Sequence, residues 1–330
     1  MTVLAPGLRY FDLHFRQQPD VIATAVIDHP AGAALVDPGP GSCLPALKAG
    51  LEAGGLSVRD LRAILLTHIH LDHAGATGAL VQENPEIQVF VHERGAPHLV
   101  DPSKLVTSAT RLFGAEGMAQ LGAFLPVPAA NITTLAGGER ITAAGRTLDV
   151  AYTPGHASHH VSYFDPASRI AFVGDTAGIS MPGSSYVLPP TPPPDIDLAA
   201  WEASAAKITA WHPETLFLTH FGPAMARPAA QLQELLVRLQ RLATLAREAL
   251  AIEESDEARK THFVDRLRLD LQRDAGAAVA QRYETAIMLE HMWLGLSRYW
   301  QKRAATPASA APTSSPASSS SSASGSLAGS

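Results

Sequence analysis

Residues 67–75 read Thr67-His68-Ile69-His70-Leu71-Asp72-His73-Ala74-Gly75, THIHLDHAG. The chain has 14 histidines in 330 residues, yet three of them fall with an aspartate inside six consecutive positions. The stretch follows LRAILLT, an apolar run of strand length and the pattern of a fully buried strand. Residues two apart on an extended chain project to the same side, so His68 and His70 are placed to reach one metal ion. Asp72 and His73 come where the strand gives way to a helix; aimed differently, they are placed to serve a second. Imidazole and carboxylate donors suit zinc, iron and related ions. A structural zinc site would normally be rich in cysteine, whereas an all His/Asp set is more typical of catalysis.

Four donors from one segment cannot complete two coordination shells. Three more candidates stand where open α/β architectures place their sites, at the ends of buried strands. His156 lies in TPGHASHH, Asp175 ends IAFVGD, and His220 ends TLFLTH.

Taken in order and spacing, LVDPG, THIHLDHAG, YTPGHASHH, FVGDTAG and LTHFGP resemble the five motifs of the metallo-β-lactamase superfamily, over roughly residues 20 to 225. The resemblance implies a four-layer αββα sandwich with metals at one edge of its two sheets. It implies that His68, His70 and His156 hold one divalent ion, that Asp72, His73 and His220 hold another, and that Asp175 bridges them, with Asp72 and Asp175 catalytic. Zinc leads, with iron and manganese as alternatives. Asp37, in the first motif, and His160, in the third, are expected to steady the ligands from outside. Such a site lowers the pKa of water to about 7 and makes hydroxide available to attack a carbonyl.

The flanking sequence fills in this frame. VIATAVIDH and AALV read as strands, CLPALKAGLEAGG as a helix closed by glycines, and ERITAAGRTLDVAYT through VSYFDPASRIAFVGD as consecutive strands. Residues 102–125 have helical spacing with glycine interruptions and read as an insert; Leu105, Leu112, Phe113 and Phe124 would favour an apolar substrate portion if it roofs the site. From about residue 228, leucines at 232, 235, 236, 239, 242 and 245 form a helical stripe. The expected organisation is a catalytic domain over 1–227, a helical appendage over 228–304, and a disordered Ser/Ala/Pro-rich tail over 305–330.

Composition narrows the function. Net charge is −6 and the pI about 6.1, so no basic face for nucleic acid is expected. The single cysteine, Cys43, rules out an internal disulfide and a Cys-rich metal site. MTVLAPGLRYFDLHF does not have the form of a signal peptide, and no stretch approaches the ~18 apolar residues of a membrane span. The expectation is a cytoplasmic enzyme with a small-molecule substrate and no membrane partner, with a homodimer through the C-terminal helices as one arrangement. The leading reaction is hydrolysis of a small ester or thioester. Rivals are a lactonase or phosphodiesterase of the same fold, a mononuclear iron persulfide dioxygenase, and a non-catalytic binding protein. His92, His98 and His212 read as hydrogen-bonded scaffold. Tyr186 reads as packing, with oxyanion stabilisation its rival, and His159 stands where glycine is common in the family.

Overall fold

A computed structural model describes residues 1–305. The expected tail lies outside the described residues except for Ala305, which closes the last helix. Two sheets face each other. The first has seven strands in sequence order: β1 (Thr2–Ala5), β2 (Leu8–Asp12), β3 (Ala23–Ile27), β4 (Ala33–Val36), β5 (Leu61–Leu65), β6 (Gln88–His92) and β7 (Ile132–Leu135). The first four pair antiparallel; β4 to β7 run parallel. The second sheet holds β8 (Arg140–Ala143), β9 (Arg146–Tyr152), β10 (Val161–Asp165), β11 (Ile170–Phe172), β12 (Thr215–Leu218) and β13 (Gly222–Pro223). Only β11 and β12 pair parallel in it.

Parallel strands need crossovers, and helices supply them. α1 (Leu44–Ala53) links β4 to β5, then α2 (Leu71–Ala74) and α3 (Thr77–Glu83) lead to β6. α4 (Ala96–Val100) and α5 (Ser103–Leu121), the expected insert, precede β7. α6 (Leu198–Ala210) joins β11 to β12. α7 (Pro228–Leu250), α8 (Asp256–Ala275), α9 (Ala277–Ala286) and α10 (Leu289–Ala305) complete the chain. α5 is broken at Gly114, whose φ of 67° is left-handed and open to glycine at little cost.

The period-2 alternation of the strands sorts side chains into layers. Ala23, Ala25 and Ile27 of β3 join Ala34, Val36, Tyr163 and Phe172 between the sheets. Val26 and Leu35 point the other way, onto Leu47, Leu51, Leu80 and Val81 of α1 and α3. The outer face of the second sheet packs on α6 to α10 in one continuous cluster that runs from Val173 and Leu218 to Trp201, Leu235, Tyr283 and Trp293. The α7 leucine stripe (Leu232, Leu235, Leu239, Leu242) is buried within this cluster. The layers are therefore α, β, β, α, and the C-terminal helices share the apolar core of the second sheet. No helix among the described residues is long and apolar enough to cross a membrane.

Candidate metal centre

The C-terminal ends of β4, β5, β9, β11 and β12 meet at one edge of the sandwich. Backbone hydrogen bonds lock this edge across the two sheets: Val161 N–H donates to Thr67 O at 2.8 Å and Ala23 N–H to Thr219 O at 2.9 Å. Asp37 follows β4. His68 and His70 follow β5, in the loop rather than in the strand itself, and α2 carries Asp72 and His73 in its single turn. His156 follows β9, Asp175 follows β11, and His220 follows β12. All seven of the expected ligands come together here.

They do so as groups. His68, His70 and His156 each offer one nitrogen, and these lie within 4.8 Å of one another; so do donor atoms of Asp72, His73 and His220, and of His68, His73 and Asp175. His70 Nδ1 is 3.0 Å from His68 Nε2 and 3.0 Å from His156 Nε2. Asp175 reaches both outer groups with different oxygens. Its Oδ2 is 3.3 Å from His156 Nε2, and its Oδ1 is 3.3 Å from His73 Nε2 and 3.7 Å from His220 Nε2. His220 Nε2 is also 3.3 Å from Asp72 Oδ2.

The far side of each ring explains this aim. His156 Nδ1 meets Pro190 O at 2.9 Å and His220 Nδ1 meets Val21 O at 3.0 Å. A carbonyl only accepts, so each Nδ1 carries a proton and each Nε2 is turned inward. His73 Nδ1 is held the same way by Asp37 Oδ2 at 2.9 Å. Asp37 is fully buried and also accepts from Thr67 N–H at 2.8 Å, Thr67 Oγ1–H at 2.7 Å and Thr219 Oγ1–H at 2.7 Å. One carboxylate thus ties together the loops that carry His68, His73 and His220. Without those donors its burial would cost several kcal/mol, on the order of a desolvated ion. The backbone of Asp37 takes a left-handed φ of 48°, a conformation such a network can hold.

Burial drives His68 and His70 well below the ordinary imidazole range and lowers His156 as well. His73 and His220 go the other way. Burial opposes their charged forms, but Asp175 and Asp72 raise both, with Asp37 adding to His73. Burial pushes the two carboxylates up, yet His73 and His220 around Asp72, and His73, His156 and His220 around Asp175, hold them below the usual carboxylate range. The centre therefore holds ionised carboxylates that favour a proton on His73 and His220, a positive charge that a metal ion would supply in its place. His73 Nε2 and Asp175 Oδ1 are buried with no hydrogen-bond partner. Convergent acceptors with unmet valence are what a cation satisfies, and a divalent ion that accepts N and O donors fits this set.

The remaining expected residues are placed as follows. His160 lies behind the site, 4.9 Å from His68 ring to ring, and its Nδ1 is 3.0 Å from Thr153 Oγ1 and 3.1 Å from Thr176 Oγ1. Gly174 makes room for it, since a Cβ there would meet His160 Nε2 at 2.7 Å. His159 lines the cavity and stands edge-on to His70 at 5.5 Å; burial pulls its pKa down to about 4. Tyr186 packs away from the site, under the Arg238 guanidinium at 3.6 Å and against Tyr283. His92 stacks on Tyr152 at 4.4 Å, whereas His98, expected as scaffold, lines the cavity.

That cavity, about 330 Å³, opens onto His70, Asp72, His156, Asp175 and His220. α5 forms one wall with Leu105, Leu112 and Phe113 as the insert reading expected; Phe124 packs instead against the first sheet's outer core. The proline loop at 190–194 forms another wall. Sequence reasoning missed three contributions: Phe15 and Arg16 from the loop after β2, Ile287 and Met288 from the turn after α9, and His291 of α10. No local motif marks them.

The sequence profile of the metallo-β-lactamase superfamily matches residues 18–220. A metallo-β-lactamase fold-containing protein of Sulfurisphaera tokodaii is 30% identical over 162 residues, 48% of this chain and 60% of that protein. A hydroxyacylglutathione hydrolase of Buchnera aphidicola is 33% identical over 116 residues, 35% of this chain and 33% of that protein. The chain therefore spans less than two thirds of the length of these curated relatives. Among solved structures, a metallo-β-lactamase family protein from Thermus thermophilus superposes with a TM-score of 0.69 at 22% identity, covering 92% of this chain and 96% of that one. At that identity the likeness speaks for the fold. With the profile covering more than half of its length, and with the strand-end cluster in place, this chain belongs to the metallo-β-lactamase superfamily.

Proposed function

We propose that this chain is a two-metal hydrolase of a small ester or thioester. His68, His70 and His156 would hold one ion, Asp72, His73 and His220 the other, and Asp175 would be shared. The observation that carries the reading is the pair of Asp175 oxygens facing different donor groups, His156 on one side and His73 with His220 on the other. When bound, the ions would supply a Lewis acid and water of lowered pKa. The chain's own work is to fix the donors and shape the approach. Asp37, Pro190 O and Val21 O set the ring orientations. The α5 wall and the proline loop restrict water and present apolar surface to a substrate. The relatives described as hydroxyacylglutathione hydrolases support a thioester within this class; glutathione itself is not implied.

One observation favours a second reading. His68, His73 and Asp175 also form a two-histidine, one-carboxylate group, the donor set of mononuclear iron oxygenases. A metal-counted preparation assayed on thioesters, esters, lactones and phosphodiesters, with oxygen uptake followed in parallel, separates the two. Two ions per chain with ester or thioester hydrolysis supports the proposal. One iron with oxygen consumption replaces it.

A further inference from the structure

The loop between β2 and β3 carries an arginine whose hydrogen bonds do not account for it. Arg16 lines the cavity together with Asp72 and His220. Its Nη1 donates to Thr285 O at 3.0 Å, but its Nε is buried and has no hydrogen-bond partner. A guanidinium is charged at any physiological pH, and a buried donor left unpaired is unfavourable. Among the described residues no carboxylate forms an ion pair with it. Burial lowers its pKa, with the Asp72 charge acting in the other direction.

The backbone under Arg16 is unusual as well. His14, Arg16, Gln17 and Asp20 have φ of 49°, 55°, 59° and 60°, four left-handed non-glycine residues within seven. Each such residue is unfavourable by on the order of 1 kcal/mol, and the conformation persists only where the surroundings impose it. Here they do. Asp12 accepts the N–H groups of His14 and Asp20, both at 2.8 Å. Arg282 of α9 donates to Asp20 at 2.9 Å, and the Phe15 ring is buried as an anchor. The strained loop is thus clamped from both ends, and what it delivers to the cavity lining is one half-buried guanidinium with no ion-pair partner among the described residues.

The other cations around the cavity differ. Arg94 is engaged with Tyr152, through a 3.0 Å hydrogen bond to the hydroxyl and over the ring. Lys104 is exposed on α5. The same cavity carries apolar lining: Leu105, Leu112, Phe113 and Ile287.

We propose that Arg16 anchors a carboxylate on the substrate of this site, its guanidinium supplying the charge and the planar donors that carboxylates match, while the rest of the substrate lies on the apolar walls. The inference rests on the hydrolase reading and narrows it to esters or thioesters of amphipathic, carboxylate-bearing molecules. Arg16 is a specificity-determining residue that touches substrate away from the reacting carbonyl. Arginine suits the role because its fork binds two oxygens at once, which lysine, a point charge, does not reproduce.

The test uses the metal-loaded full chain and matched thioesters that differ only in bearing a carboxylate, a phosphate or a carboxamide, on the acyl half in one series and on the leaving half in the other. Arg16→Met should raise KM for a carboxylate-bearing member about tenfold or more, as expected for losing a charge-assisted pair. It should leave kcat, and both constants for the carboxamide, nearly unchanged, and Arg16→Lys should recover part of the loss. A structural role would move all substrates alike, and that result, or a larger effect on the phosphate series, overturns the assignment. Calorimetric binding of the non-hydrolysable ether analogues gives a readout apart from turnover. Carboxylate binding that depends on Arg16 in a protein that hydrolyses none of the series keeps this inference while the hydrolase reading fails. Turnover indifferent to the carboxylate sinks the inference alone.

Discussion

The strand-end cluster and the core beneath α6 to α10 are both largely buried, yet they treat polar atoms in opposite ways. In the helical core the polar atoms are mostly answered. Trp201 Nε1–H donates to Thr176 O at 2.8 Å and Tyr283 Oη–H to Tyr186 O at 2.5 Å. Trp293 Nε1 is an exception, one weak donor alone among apolar neighbours. At the strand ends the unmet atoms are His73 Nε2 and Asp175 Oδ1, and they converge with five further donor groups. A solitary indole N–H asks for little. A convergence of imidazole nitrogens and carboxylates is a set that positive charge satisfies, whether a proton or a metal ion. The contrast separates a region that holds the fold from a region that the fold holds ready.

Substitutions can break this contrast if it is mistaken. The largest effect belongs to Asp175→Ala. It removes the group shared by both donor sets, so bound metal and turnover should fall together by more than the 10–100-fold typical of outer partners; metal analysis beside a kinetic assay decides, and normal metal content would take Asp175 out of the centre. Trp293→Ala should act on the other region, destabilising the chain by about 3–5 kcal/mol in a denaturant titration while the folded fraction keeps its metal. Loss of metal at equal folded fraction would show that the two regions are not independent. Asp37→Ala should sharpen the boundary, because Asp37 is buried like the core yet serves the site. It should weaken metal affinity by about 10–100-fold and also lower stability, read by metal titration and thermal melting. The smallest effect is expected for Tyr186→Phe. Its ring packs under Arg238 rather than at the cavity, so kcat/KM should stay within about twofold, the range of substitutions away from special features. A large drop in kcat would restore its oxyanion role.

The same division shows in what could be read from the chain. THIHLDHAG places four donors in six positions, and a short loop plus one helical turn brings them together almost unaided. Asp175 and His220 were legible because each ends an apolar run, and a buried strand ending in a polar residue delivers that residue to a sheet edge. The α7 leucine stripe announced a buried helix face, though not which core would receive it. The chain placed His68 and His70 at a strand end; in the structure they lie in the loop beyond it, with His70 presenting Nδ1 where its neighbours present Nε2.

Arg16, Ile287 and His291 carried no such signal. They reach the cavity because the loop after β2 is clamped onto α9, over a separation of 262 residues between Asp20 and Arg282. By itself, then, the sequence showed strand-end donors, because hydrophobic period and donor spacing are local properties of a chain, and the resemblance its motifs carry implied the sandwich that the structure has. Only the tertiary structure decided which oxygen of Asp175 faces which donors, which walls enclose the cavity, and that Arg16 lies among them. Those depend on distances between segments far apart in sequence, which no local pattern encodes.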